Sequence, residues 1–344
     1  MSGVNYSGSS YMSRKRKNGA CFLMFIITMI IILYSCYVTI LLIPLFEIDY
    51  IGTTVSVSFH MIFLLFIMSF YQCSNTEPGR VPAKWGFRVG DESKRRRYCK
   101  VCQVWKPDRA HHCSECGKCV LNMDHHCPWI NNCVGFYNRK FFIQLLIYAQ
   151  LTLLFLFVQG SIFLIEQYIT LWPYNSGMDP TPLGRSIEAI KLTIVIIMLI
   201  IVTPLLLALF PFSRLHIGFV VRNLTTIESL SPQSPEYGRY DLGPERNIQQ
   251  AFGYNPLHWF CPFNTRSSRP VGDGVRWPIK CPEMDDLEMG QIPIYIGGSN
   301  NNDRGNYHHS DSNGNPVNSS SVYTYKNNND ILSPYSSKGL YYQI

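Results

Sequence analysis

The stretch HHCSECGKCVLNMDHHCPWINNCVGF (His111–Phe136), with Cys99 and Cys102 just ahead of it, brings together seven cysteines and two adjacent histidine pairs. The candidate metal ligands fall into two sets: Cys99, Cys102, His112 and Cys119, then Cys113, Cys116, His126 and Cys133. Each set reads C-x2-C-x9-H-x6-C, and the second is the first displaced by fourteen residues. Three thiolates and one imidazole make a closed tetrahedral shell for a structural Zn2+, with no position open for catalysis. The sets interleave, since Cys119 follows Cys113 and Cys116, so two structural Zn2+ would clamp one knot. Such a module draws its folding energy from metal rather than from a core of its own. A RING-type module alternates its ligand pairs differently and does not fit this order.

The same displacement carries the HHC of 111–113 onto the HHC of 125–127. Cys113 opens the second zinc set. Cys127 would need a partner three residues on, where Ile130 stands, so it is left without metal, as are His111 and His125. An inert buried thiol is the bland alternative. The neighbourhood argues against it, because Asp124, His125 and Cys127 supply a base-orienting carboxylate, a base and a nucleophile within four residues. The ligands His126 and Cys133 bracket the thiol, Pro128 stiffens the chain after it, and zinc and base nearby favour the thiolate.

On either side of this module lie four almost purely apolar runs, Ala20–Ile43, Ile51–Cys73, Phe141–Ile165 and Ala189–Ser213. Lys191 is the one Asp, Glu, Lys or Arg among them. Each has about the 20 residues a helix needs to cross the hydrocarbon of a bilayer, where the backbone must satisfy its own hydrogen bonds. A soluble protein with four buried core helices is the weaker alternative. A cleavable signal peptide at Ala20–Ile43 is weaker still, because the run is long and Ile43–Phe46 offers no small-residue cleavage site. The expected fold class is therefore an all-α polytopic membrane protein, with four transmembrane helices and a cytosolic zinc-binding Cys-rich domain between helices two and three.

Basic residues cluster at Arg14–Lys17, in the connector with Lys84, Arg88 and Lys94–Arg97, and at Arg214, Arg222 and Arg239. The loop 44–50 holds only Glu47 and Asp49. By the positive-inside rule both termini and the Cys-rich connector face the cytosol. The net charge of +7 is thus mainly a topology signal and excludes a nucleic-acid partner, since the charges flank the spans. Cytosolic thiols stay reduced, which sets disulfides aside.

The expected domains follow. Residues 1–19 form a flexible cytosolic arm, 20–73 helices one and two, and 74–140 the Cys-rich domain. Residues 141–213 form helices three and four, and 214–289 a cytosolic C-terminal segment. Residues 290–344 form an Asn/Ser/Gly tail too poor in apolar residues to fold. Within 247–263, Ile248, Ala251, Phe252 and Trp259 share a face that suits either the membrane interface or packing on the Cys/His module.

Helix three starts fourteen residues after Cys127, which sets the thiol at the cytosolic membrane face. A fatty acyl-CoA suits that position, its chain between the spans and its head in water. Transfer between two thioesters is nearly isoenergetic. Here the sequence resembles a family. MDHHCPWINNCVGFYNRKFF and YCKVCQVWKPDRAHHCSECGKC look like the core and the start of the Cys-rich domain of DHHC protein S-acyltransferases. TEPG (76–79), TTIE (225–228) and Asn247 of NIQQAFG are similar to the family's further elements, Glu77 replacing an Asp. The resemblance spans roughly residues 20–265.

It implies palmitoyl-CoA:protein-cysteine S-palmitoyl transfer by a two-step, ping-pong mechanism. Cys127 takes the chain from acyl-CoA, with His125 as base and Asp124 orienting it, and a cysteine of a cytosolic or peripheral membrane protein then accepts it. It also implies that Thr225 bonds towards the Asp124 region and that Asn247 braces the C-terminal segment. Arg97, Lys106 and His111 would lie where CoA phosphates bind, a solvated basic face being the alternative for Arg97 and Lys106. VCQVWKPDR and the terminal KGLYYQI resemble a fungal vacuolar branch. This implies the vacuole membrane, with Golgi or endoplasmic reticulum as alternatives. Two other functional classes compete. A membrane-anchored zinc module would need no Asp124, His125 or Cys127. A channel or transporter finds few ionisable groups in the spans beyond His60 and Lys191.

Overall fold

The computed structural model describes residues 7–46, 50–83, 85, 97–171, 182–265 and 267–279. They fall into one compact unit, Met1–Arg276, and the start of a second, Trp277–Ile344, described at 277–279. The expected tail, 290–344, lies outside the described residues.

Among the described residues, four helices are long and apolar enough to cross a membrane. The first, α1 (Ser7–Tyr37), continues through a π-helical turn (Val38–Leu42) into α2 (Ile43–Phe46). Pro44 follows the wide turn, and its missing N–H and ring bulk disfavour a regular α-turn there. Helix α1 reaches back to Ser7, into the segment expected to be a flexible arm. No proline interrupts 7–19, so the apolar helix propagates into it. The others are α3 (Tyr50–Asn75), α4 (Arg139–Leu171) and α5 (Pro182–Val221). Tyr37, Phe59, Leu156, Met198 and Val202 form the core at one end of the helices. Apolar side chains also line the outside: Leu64, Ile165, Ile200 and Leu207 are each more than half exposed. His60 of α3 meets Tyr34 of α1, with Nε2 3.2 Å from the hydroxyl.

Between α3 and α4 the chain forms three two-stranded antiparallel hairpins: β1 (Tyr98–Cys99) with β2 (Val104–Trp105), β3 (His111–Cys113) with β4 (Lys118–Val120), and β5 (His125–Cys127) with β6 (Asn132–Val134). Their registers repeat at fourteen residues: Cys99 opposes Val104, Cys113 opposes Lys118 and Cys127 opposes Asn132. Each turn holds one left-handed residue at the same place, Gln103 (φ 55°), Gly117 (φ 65°) and Asn131 (φ 49°). The sequence repeat is thus a repeat of hairpins. The third has lost its second turn cysteine and carries a short 3-10 turn, Pro128–Ile130, instead.

This third hairpin is fastened to the apolar helices. Asn132 Nδ2 donates to the carbonyls of Cys73, Ser74 and Thr76 at 3.2, 3.1 and 2.9 Å, satisfying acceptors that the end of α3 leaves open. Asn138 Nδ2 bonds the carbonyls of Cys73 and Cys133. Below them Cys127, Ile130, Val134, Phe141, Phe142 and Phe252 share one core with Cys73. Gly135 is required by close approach, since a Cβ there would lie 2.8 Å from the Pro78 carbonyl oxygen and 2.7 Å from Val120.

The segment after α5 returns over the hairpins through α6 (Thr226–Ser229) and α7 (Pro244–Phe252). Asn247, buried in α7, donates to the Val221 carbonyl at 2.8 Å and to Asp241 at 2.6 Å, and accepts from the Leu242 amide at 3.0 Å. Ile248, Ala251 and Trp259 pack on the core around Cys127. Residues 259–263 lie along the first turns of α4: Gln144 donates to the Trp259 and Cys261 carbonyls, and Lys140 to that of Phe263. Leu257 and Phe260 stay exposed.

One buried ion pair joins hairpins to returning segment. Arg109, only 1% exposed, donates to Glu228 Oε1 and Oε2 at 2.7 and 2.9 Å and to Asn223 at 2.9 Å, and its guanidinium stacks 4.6 Å from the Tyr240 ring. Removing one partner leaves an uncompensated buried charge, which costs about 3–5 kcal/mol. Glu228→Ala is therefore expected to lower the unfolding free energy by about that much. Thermal unfolding in detergent checks it, and a midpoint unchanged from wild type would contradict the assignment.

Candidate active site

The hairpin repeat assembles two closed ligand groups. In the first, the sulfurs of Cys99, Cys102 and Cys119 lie 3.6, 3.2 and 3.9 Å from His112 Nδ1. In the second, Cys113, Cys116 and Cys133 lie 3.7, 3.3 and 3.7 Å from His126 Nδ1. A zinc tetrahedron with bonds of about 2.0–2.3 Å has edges of roughly 3.5–3.8 Å, so both groups fit that ion. In each, two cysteines come from one hairpin turn, and the histidine and last cysteine face each other across the next hairpin. A zinc ion held by either group would therefore tie consecutive hairpins together.

Cys127 belongs to neither group. It holds in hairpin three the place that Cys113 holds in hairpin two. Its sulfur lies close enough to His125 to help raise that imidazole. His125 Nδ1 donates to Asp124 Oδ2 at 2.6 Å. Asp124 is 1% exposed, and the Thr226 backbone amide meets its Oδ1 at 3.0 Å while the Thr226 hydroxyl meets Oδ2 at 2.7 Å. The Arg139 guanidinium, itself bonded to the Leu224 carbonyl, stands 3.7 Å from Oδ1, and His216 Nδ1 stands 3.7 Å from Oδ2.

These contacts set the protonation states. Burial raises the Asp124 carboxyl, but the His125 hydrogen bond and the positive charge around it outweigh burial and hold it well below the usual carboxylate range. Burial pulls the His125 imidazole down, but the Asp124 hydrogen bond and the nearby Cys127 push it up to about 9. The arrangement is thus a fixed carboxylate and an imidazolium beside the Cys127 sulfur.

The contact to Asp124 expected of Thr225 is made one residue later. Thr225 is the N-cap of α6: its hydroxyl accepts from the Glu228 amide at 3.2 Å, and Glu228 returns a bond to the Thr225 amide at 2.9 Å. That capping box turns Thr225 away and leaves Thr226, at the first helical position, with a free amide to offer. Arg97 pairs with Asp108 at 2.9 Å and with Glu236. The Lys106 amide bonds the Arg97 carbonyl, and His111 lies close enough for burial, Lys106 and Arg97 together to lower its imidazole. Arg97, Lys106 and His111 thus form one basic cluster. Thr226, Arg139 and His216 were not singled out in the sequence.

Losing a ligand should cost metal, and losing Cys127 should not. Cys102→Ala and Cys116→Ala are each expected to drop one zinc and destabilise the hairpins, whereas Cys127→Ser keeps both. Zinc analysis of the purified proteins decides it, and an unchanged metal content in the ligand variants would contradict the grouping.

A profile of the DHHC palmitoyltransferase family matches residues 92–233. Palmitoyltransferase ZDHHC20 of Homo sapiens is 34% identical over 263 residues, 67% of either chain. Palmitoyltransferase ZDHHC20 of Mus musculus is 32% identical over 275 residues, 67% of this chain and 68% of its own. Probable protein S-acyltransferase 14 of Arabidopsis thaliana is 29% identical over 259 residues, 67% of this chain and 80% of its own. With this extent of similarity and two complete ligand groups, the chain belongs to the DHHC palmitoyltransferase family.

Proposed function

We propose that this protein is a membrane-embedded protein S-acyltransferase. It takes a palmitoyl chain from acyl-CoA onto Cys127 and passes it to cysteine thiols of cytosolic or peripheral membrane proteins. The observation that carries this reading is a thiol outside both ligand groups, beside an imidazole that a buried carboxylate holds. A zinc module without chemistry needs no such series.

In the first half-reaction the Cys127 thiolate attacks the acyl-CoA carbonyl carbon. The new carbon–sulfur bond forms as the bond to CoA sulfur breaks, and the departing CoA thiolate takes the proton of the His125 imidazolium. Acylation removes the thiolate that helped to raise His125, so the imidazole is left neutral and less basic. It then accepts the proton of the incoming protein thiol as that sulfur attacks the acyl-Cys127 carbonyl, and Cys127 departs as thiolate beside a recharged imidazolium. Asp124 keeps the imidazole tautomer and plane, and Thr226 keeps Asp124. Zinc, when bound in the two groups, supplies structure and a positive field beside the thiol.

The four apolar helices with exposed apolar side chains support insertion in a bilayer, both termini and the Cys-rich domain on the cytosolic side. The domain limits read from the sequence are part of this proposal. Lys106 and His111 would meet CoA phosphates. Arg97 would join them once it leaves the carboxylates of Asp108 and Glu236. Placement on a fungal vacuole membrane rests on the VCQVWKPDR and KGLYYQI resemblance.

The ion-pair assignment has a pH signature. The His125 imidazolium, which persists to about pH 9, is a counter-charge beside the Cys127 sulfur, so alkylation of the wild type by iodoacetamide is expected to be faster near pH 6 than that of a variant lacking it. His125→Ala removes the counter-charge. Its alkylation rate is expected to fall about tenfold per pH unit below the ordinary thiol value of about 8.5. Acyl transfer in the same variant should slow by about 10²–10⁴-fold with zinc retained. Superimposable alkylation profiles for the two proteins would contradict the pairing.

A further inference from the structure

Helix α5 ends beside the Asp124–His125 couple and delivers a histidine there. His216 is 4% exposed. Its Nδ1 lies 3.7 Å from Asp124 Oδ2, the oxygen that already receives His125 at 2.6 Å and the Thr226 hydroxyl at 2.7 Å. Its ring is 5.4 Å from the His125 ring, and Phe142 packs edge-on against both at 5.1 Å. Phe212 at 4.5 Å and Phe219 at 5.6 Å complete an aromatic box around His216. Such a box would take a phenylalanine more easily than a polar ring, whose burial is costly without a partner.

Two roles would explain a histidine here. Asp124, His125 and His216 could ligate a third metal, since their donor atoms lie within 4.8 Å of one another. The electrostatics oppose it. The Arg139 guanidinium stands 3.7 Å from the same carboxylate, and Thr226 already donates to both of its oxygens. A cation would enter against a fixed positive charge and displace satisfied hydrogen bonds.

We propose instead that His216 is a positioning residue for acyl transfer: it walls the His125 imidazole on its helix α5 side and holds Asp124 Oδ2 in line with it. At 3.7 Å the contact is longer than a direct hydrogen bond. It acts through packing and through the polar Nδ1 edge it turns towards the carboxylate. The inference rests on the acyl-transfer reading and adds to it a direct contact between helix α5 and the base.

Two full-length variants in detergent test it, with a fluorescent fatty acyl-CoA as donor. His216→Phe keeps the aromatic packing and removes Nδ1. His216→Asn sacrifices the packing but places an amide where Nδ1 stood. The maximal single-turnover rate of Cys127 acylation is expected to drop about 10–100-fold in His216→Phe, the low side of an oriented general base. Half-saturating acyl-CoA and zinc per chain should stay at their wild-type values. His216→Asn should recover at least tenfold over His216→Phe. A purely structural histidine gives the reverse order, with Phe faster than Asn, and that result overturns the proposal. So does a third metal ion per chain that disappears in either variant. Acylation of the wild type in the same assay tests the underlying reading separately.

Discussion

The carboxylate of Asp124 is the point on which the rest of the architecture converges. It is buried, so it must be fully satisfied, and its partners come from four separate elements of the fold. His125 belongs to the third hairpin, Thr226 to the returning segment, Arg139 to the first turn of α4, and His216 to the last turns of α5. Satisfying one buried charge thereby fixes four separate elements around one imidazole. The cost of leaving any donor out makes the geometry of the base a property of the whole fold rather than of a loop.

Around that point the protein reuses one small unit. Three hairpins with the same register and the same left-handed turn residue follow each other at fourteen residues. The first two give their turn cysteines to metal groups that reach into the next hairpin. The third has the first turn cysteine, Cys127, but Ile130 where the second would be. A metal-binding turn that lacks half its ligands leaves a thiol in a backbone already shaped to present it. The zinc groups on one side, and Asn132 with the end of α3 on the other, hold it there. The reactivity proposed for Cys127 would follow from what the third unit lacks.

Much of this was legible in the sequence because spacing survives folding. The two ligand groups follow from the repeat alone, and the apolar runs locate the four long helices to within a few residues, apart from extensions at α1 and α5. Contacts between distant segments were not legible. Thr226 rather than Thr225 reaches Asp124 because a capping box, visible only once α6 has formed, engages the first threonine. Arg139 stands two residues before an apolar run with nothing to mark it, and His216 lies just beyond the end of the fourth. Arg97 reads as a free basic residue, whereas Asp108 and Glu236 hold it in the fold. In each case periodicity and composition carry no information about which distant group arrives.

The central claim is that Cys127, and no zinc-directed cysteine, carries the acyl chain. Its most direct test is a single turnover of the wild-type protein with palmitoyl-CoA, read by peptide mass spectrometry together with metal content and released CoA. The account predicts a hydroxylamine-labile palmitoyl group on the peptide containing Cys127, one CoA released per chain acylated, and both zinc ions retained. Acyl chain on a cysteine of either ligand group with loss of its zinc, or CoA release with no acyl-protein formed, would contradict it.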